Sequence, residues 1–211
     1  MKSATSKSML EIIFYFAIFG RFMKFDASEE FIVSTTQLRG NRARVEIRDR
    51  STLLPHYEDG PAVMTYDVRD GFLISAIWIN QKFNGRHRNG DQPAAIVHQR
   101  GLSKPVFEAY YKQDLQHRDG DKPATIHRCR ETGGVMSLLY YFEGAQENRS
   151  GLPAVQEFDP ITGRVVREEF FRDGVRHRDA GPAIVEYGEC GEIDLNRSEF
   201  YRQGIFINQP K

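Results

Sequence analysis

A loop that closes on Pro-Ala occurs five times: HYEDGPA at 56–62, HRNGDQPA at 87–94, HRDGDKPA at 117–124, NRSGLPA at 148–154 and HRDAGPA at 177–183. Its prolines are Pro61, Pro93, Pro123, Pro153 and Pro182, so successive copies lie 32, 30, 30 and 29 residues apart. A period near 30 that survives five times restricts the chain to a repeat array. In such an array each unit buries its apolar surface chiefly against its chain neighbours.

The remainder of each period is also repeated. A Gly-bearing turn follows each Pro at Gly71, Gly101, Gly133-Gly134, Gly163 and Gly191. Next comes a run ending in aromatics: Trp78, Tyr110-Tyr111, Tyr140-Tyr141-Phe142, Phe170-Phe171 and Phe200-Tyr201. A second turn follows at Gly85, Gly144, Gly174 and Gly204, with Asp114 in that place in the copy without Gly. Two strands per period are expected. The first is short (AVMTY, AAIVH, ATIH, AVQEF, AIVEY), and the second is longer (FLISAIWI, VFEAYY, VMSLLYYF, RVVREEFF, EIDLNRSEFY). Val, Ile, Phe and Tyr suit a pleated surface, Gly, Asp and Asn supply positive-φ turns, and Pro opens a strand where its missing N–H costs least. One period therefore reads as one β-hairpin plus a turn. At a strand spacing of about 4.8 Å the array gains about 10 Å per period, roughly 50 Å in all.

The expected fold class is all-β: an elongated antiparallel sheet or solenoid of tandem hairpins, with an N-terminal cap. Residues 51–211 hold five repeats and a C-terminal half repeat, and residues 1–50 form the capping segment. Alternation places Ala183, Val185 and Tyr187 on one side and Ile184 and Glu186 on the other. Neither side is cleanly polar, so the sheet either curls around a narrow core or is covered on one side. The long apolar segment outside the period is Met9–Phe25, MLEIIFYFAIFGRFMKF. Its uninterrupted apolar run, Ile12–Phe19, is far shorter than the ~20 residues of a membrane-spanning helix. It reads as a cap, in the form of a short helix or strand, with a signal sequence as the alternative. EFIVSTTQL at 30–38 and ARVEIRD at 43–49 read as two further strands.

Composition bounds the partners. Twenty-nine basic and 29 acidic residues cancel, so no global field recruits nucleic acid or anionic lipid. Membrane contact is open only through Met9–Phe25. Cys129 and Cys190 lack metal-ligand spacing and read as free thiols in a reducing cytoplasm, a single disulfide in a secreted protein being the alternative. No cofactor is expected.

The repeated His-Arg pair resembles chemistry without providing it. His117-Arg118-Asp119 and His177-Arg178-Asp179 match the catalytic-loop triplet of kinases, but Ala124 and Ile184 stand where the kinase Asn belongs and no phosphate loop is present. His87, His117 and His177 fall one per repeat, about 10 Å apart, too far to share a zinc ion bound at ~2 Å per ligand. His98 and His127 fail by the same distance. Glu168 and Glu169 are adjacent and face opposite sides of a strand. The pair reads as a brace: imidazole bonds a backbone group, and guanidinium bonds turn carbonyls and stacks on the neighbouring repeat's aromatics. Arg88, Arg118, Arg149 and Arg178 are read as its cationic members, Asn148 replacing His in one copy. On this reading Arg118→Ala costs more stability than a surface change such as Arg100→Ala.

The arrangement aromatic-aromatic-x-x-Gly…His-Arg-x-x-Gly-Pro-Ala resembles divergent MORN-type repeats over residues 51–208. It is most similar to those of YwqK-type bacterial antitoxins and of repeat proteins in large DNA viruses. The resemblance implies a non-catalytic protein-binding module, an immunity or antitoxin-like protein that neutralises a toxin enzyme by direct binding in the cytoplasm. The expected contact residues are Trp78, Tyr111, Tyr141, Phe171 and Tyr201, since aromatics dominate interface hot spots. A membrane-adjacent or architectural scaffold is the alternative. An enzyme with a site in the irregular N-terminal region comes third.

Overall fold

The computed structural model describes residues 25–26, 31–58, 60–83 and 85–208. But for Phe25, the apolar segment Met9–Phe25 lies outside them. Twelve strands form one antiparallel sheet, arranged side by side in chain order. They are β1 (Phe25–Asp26), β2 (Phe31–Leu38), β3 (Arg42–Asp49), β4 (Val63–Asp67), β5 (Leu73–Ile77), β6 (Ala95–Val97), β7 (Phe107–Ala109), β8 (Thr125–Arg128), β9 (Val135–Leu139), β10 (Val155–Phe158), β11 (Val165–Glu169) and β12 (Ile184–Glu186). No α-helix occurs among the described residues; Gln81–Phe83 form a single 3-10 turn. The described residues are all-β, as the two-strand period predicts. Residues 31–49 build a long hairpin that continues the sheet, since Arg42–Glu46 of β3 pair with Val63–Asp67 of β4.

Each period contains two hairpins where the sequence suggested one. The longer strand stops at Trp78, Tyr110, Tyr140 or Phe170, whose N–H donates to the alanine carbonyl of the next Pro-Ala pair (Ala94, Ala124, Ala154, Ala183) at 2.7–2.8 Å. The chain then enters a separate two-stranded ribbon. The five ribbons are Ile79–Asn80 with Gly85–Arg86, Tyr111–Lys112 with Leu115–Gln116, Tyr141–Phe142 with Ala145–Gln146, Phe171–Arg172 with Val175–Arg176, and Phe200–Arg202 with Ile205–Ile207. Four of them close on two-residue turns, Gln113-Asp114, Glu143-Gly144, Asp173-Gly174 and Gln203-Gly204. All eight of those residues have φ between 47° and 85°. Positive φ at both positions marks type I′, whose twist matches a hairpin, and this is why Asp can stand in for Gly at 114.

The final period departs from the expected strand EIDLNRSEFY. Residues 192–199 make only two isolated bridges, Tyr187↔Ile193 and Ile184↔Glu199. Asp194 folds the segment into a turn, accepting from the N–H of Asn196 at 3.0 Å and from Arg197 Nε at 2.6 Å. The turn wraps the outer edge of β12, with Glu199 N–H donating to Ile184 O at 2.9 Å and Asp194 N–H to Glu186 O at 2.8 Å. Covering an edge in this way removes a template for aggregation.

Register fixes the faces. On one face a row crosses the sheet through Val45, Met64, Ala76, Ile96, Glu108, Ile126, Leu138, Gln156, Glu168 and Val185. Its apolar start joins Val33, Ile47, Tyr57, Ala62 and Tyr66 in the main core cluster. Its polar stretch is satisfied internally: Tyr187 OH donates to Glu168 at 2.8 Å and Gln156 Nε2 donates to Glu168 at 3.0 Å. Burial, reinforced by Glu168, pushes the Tyr187 phenol up to about 12. The five repeat alanines, Ala62, Ala94, Ala124, Ala154 and Ala183, are all 0 % exposed. Each sits where sheet strand, ribbon and loop converge, so no larger side chain fits.

Successive hairpin turns are also clamped to each other. Asp67, only 5 % exposed, accepts from Arg69 Nη2 at 2.6 Å and from Arg100 Nη2 at 3.0 Å, while Arg100 Nη1 reaches Asp70 at 2.6 Å. Hydrogen bonds from Arg69, then Arg100, hold the Asp67 carboxyl far below the usual carboxylate range. A carboxylate lowered on folding contributes stability that is complete above its unfolded value near 3.9 and is lost as pH falls through the folded value. Asp67→Asn should therefore be less stable than the parent by a constant margin from pH 7 down to about pH 5. The margin should shrink at lower pH; urea unfolding across that range reads it, and a margin that grows in acid would contradict the assignment.

Candidate interaction surface

The His-Arg loops hold neighbouring ribbons together. The Nδ1 atoms of His56, His87, His117 and His177 accept the N–H of Gln81, Gln113, Glu143 and Gln203 at 3.1, 3.3, 3.1 and 3.0 Å. Each of those four residues lies in the turn of the following ribbon. The Nε2 atoms face Asn89, Asp119 and Asp179 at 2.8–2.9 Å. In His87, His117 and His177 both ring nitrogens are therefore engaged, Nδ1 with the next ribbon and Nε2 within its own loop.

Arg88, Arg118 and Arg178 occupy one structural position. Each Nη1 donates to the carbonyl of Pro93, Pro123 or Pro182 at 3.1–3.2 Å. Each guanidinium also lies 3.7–3.8 Å over the ring at the end of the sheet strand, Trp78, Tyr110 or Phe170. Arg118 further bonds Asp91 of the preceding loop at 2.5 Å. Pro61, Pro153 and the other loop prolines precede the buried alanines and set the entry to the sheet.

Arg149 does not belong to this row. Glu147 N–H bonds Tyr140 O at 3.2 Å, as His117 N–H bonds Tyr110 O at 3.1 Å, and Asn148 Nδ2 donates to Pro153 O at 3.4 Å. Glu147 and Asn148 thus stand in the His and Arg places, and Arg149 falls one residue later, its guanidinium 4.3 Å from the Phe142 ring. Aligning the copy on its Asn-Arg dipeptide, rather than counting back from Pro153, shifts it by one.

The five aromatics expected at an interface divide between two positions. Trp78 lies beneath Arg88, in register with Tyr110, Tyr140 and Phe170. Tyr111, Tyr141 and Phe171 each open a ribbon, Tyr201 is the second residue of its ribbon strand, and all four are half-buried. Arg86 stacks 4.0 Å from the Tyr111 ring and donates to its hydroxyl at 2.8 Å, and Tyr201 OH donates to Glu199 at 2.8 Å. These rings spend much of their surface inside the ribbon row.

Exposed apolar surface lies elsewhere. A groove of about 880 Å³ is lined by Val97, Phe107, His127, Met136, Phe158 and Val166, with Arg130, Glu131 and Glu157 among its polar members. Part of its lining follows the cross-strand row Val97, Phe107, His127, Ser137, Glu157 over β6 to β10. Met136 is 46 % exposed and Val166 39 %. The Phe107 and His127 rings meet edge-on at 5.0 Å, and desolvation pushes the His127 imidazole below its ordinary value. The signal for Met136 and Val166 was present as apolar residues at equivalent places near the start of two successive long strands.

Cys129 and Cys190 are free thiols, and no group of three or more His, Cys, Asp or Glu residues suited to a metal occurs among the described residues. Among those residues no helix is long and apolar enough to cross a membrane. No family model, no curated protein and no solved structure matches the chain.

Proposed function

We propose that this chain is a protein-binding repeat module that grips an apolar segment of another protein in the groove over β6 to β11. The observation that carries the reading is the solvent exposure of Met136 and Val166 beside Phe107 and Phe158. Apolar side chains gathered along one groove suit a contact site. The ladder supplies a rigid platform, which lowers the ordering cost of binding. Neutralisation of a toxin enzyme by occlusion is the specific form suggested by the resemblance of the loop sequences.

Val166→Glu and Met136→Glu test the reading. As surface changes they should leave stability within about 0.5 kcal/mol. A protein captured from a lysate by the parent chain, and titrating against it at a fixed stoichiometry, should bind each variant at least about tenfold more weakly, a loss of about 1.4 kcal/mol. For the toxin form, the partner's enzymatic activity should fall in proportion to added chain up to equivalence. Equal affinity for parent and both variants would remove the groove from the account.

A further inference from the structure

We propose that the outer edge of the last ribbon, Ile205–Ile207, pairs with the same edge of a second copy of this chain. The ribbon strand pairs Arg202 with Ile205, Tyr201 with Phe206 and Phe200 with Ile207. In a two-residue hairpin the residues flanking the turn exchange bonds inward, and the next pair is the non-bonded one. Both the N–H and the C=O of Phe206 therefore point away from their own hairpin.

Earlier ribbons show how the array uses that position. The counterpart carbonyls of Arg86, Gln116 and Arg176 accept the turn N–H of the following ribbon, from Asp114, Gly144 and Gly204, each at 2.9 Å. The turn glycines close over the preceding strand; a Cβ at Gly204 would meet Val175 at 3.5 Å. No ribbon follows Ile205–Ile207 among the described residues, and Ile205 is 68 % and Phe206 57 % exposed. The outer edge of β12, by contrast, is wrapped by residues 192–199.

A second copy fits this edge by its own geometry. Across a two-fold axis, Phe206 N–H of each copy donates to Phe206 C=O of the other, and Ile205 faces Ile207 of the second copy. The contact is isologous and closes as a dimer. Within the chain the outward carbonyl at this position accepts a turn N–H of the next ribbon; across the two-fold axis it accepts the Phe206 N–H of the second copy instead. Three uncharged β-formers with no Gly or Pro place no like charges in opposition and favour strand pairing.

Sedimentation equilibrium of the full chain, from micromolar to near-millimolar concentration, tests the proposal. The parent should show reversible monomer–dimer association. Phe206→Pro removes the outward N–H together with the ring that meets Tyr201 edge-on at 5.6 Å, whereas Ile205→Lys keeps that ring and places a charge beside the two-fold contact. Each should weaken dimerisation at least tenfold, and Ile205→Lys should retain the melting temperature. Val166→Glu should dimerise like the parent, which separates this contact from the groove. A chain that stays monomeric throughout overturns the proposal, as does a dimer of unchanged affinity in both edge variants. Variants that lose a different protein but never a second copy would also overturn it.

Discussion

Gly134→Ala should lower the melting temperature by about 10 °C, corresponding to roughly 3 kcal/mol in a chain of this size. A Cβ at Gly134 would sit 1.9 Å from the carbonyl oxygen of Pro160 and 2.8 Å from its carbonyl carbon. Both are backbone atoms, so no side-chain rotation relieves the clash. Thr132 Oγ1 donates to the same Pro160 oxygen at 3.3 Å, which makes this the docking point between the hairpin turns of two successive repeats. The change forces those turns apart, opening the ladder between β9 and β10. Gly163→Ala is the comparison: its φ of 72° carries a strain of its own, of about 1 kcal/mol, but its Cβ meets nothing within 4 Å. Equal melting temperatures for the two variants would show that the close approach at Gly134 does not limit stability.

Arg118→Ala should cost about 2–3 kcal/mol, or about 5–10 °C. The Arg118 side chain is 14 % exposed, donates to Pro123 O at 3.1 Å and lies 3.7 Å from the Tyr110 ring. Those two interactions supply most of the loss. The ion pair to Asp91 adds little, because Asp91 is 45 % exposed and such pairs contribute about 0–1 kcal/mol. Arg100 is a poor reference for an idle surface arginine, since it clamps Asp67 and Asp70 and stacks 4.4 Å over Phe72. Arg130, exposed on the rim of the groove, serves better, and Arg130→Ala should change stability by less than about 0.5 kcal/mol. Arg149→Ala should lose no more than about 1 kcal/mol, because it retains only an exposed ring contact. If Arg118→Ala keeps its melting temperature and loses a bound partner, the arginine row is a ligand stripe and the brace assignment fails.

The sequence made the repeat and its turns legible because both depend on local rules. Positive φ at Gly144, Gly174 and Gly204 and the buried alanine after each proline recur in phase, and phase survives without any knowledge of packing. The splitting of the long strand into sheet and ribbon was not legible. Tyr110 and Tyr111 read as consecutive strand residues, and only the third strand drawn in by the Ala124 carbonyl shows where the sheet ends. The slip at Glu147-Asn148 has a similar origin. Asn148 can replace either histidine, as a hydrogen-bonding group, or arginine, as a donor to the proline carbonyl, and the choice is visible only through Pro153. Leu195-Asn196-Arg197 alternates enough to pass for a strand until the Asp194 side chain closes its turn. Of the surface, the sequence pointed to aromatics, whose rings are largely spent between ribbons. Met136 and Val166 were legible only as apolar residues at equivalent places in two successive strands, a pattern that buried core residues share.

Every strand of the sheet bonds only to strands adjacent in the chain. That topology fixes how the molecule yields to tension. A pull on residues 31 and 208 loads the ladder bonds of an outermost hairpin one after another, as in a zipper, and never places the rows in shear together. Extension should release the array in successive lengths of about 30 residues, each at low force, with the stitched interior repeats giving way after the ends. The protein is therefore stiff as a platform for a partner pressing on its face and weak as a tether between two anchors.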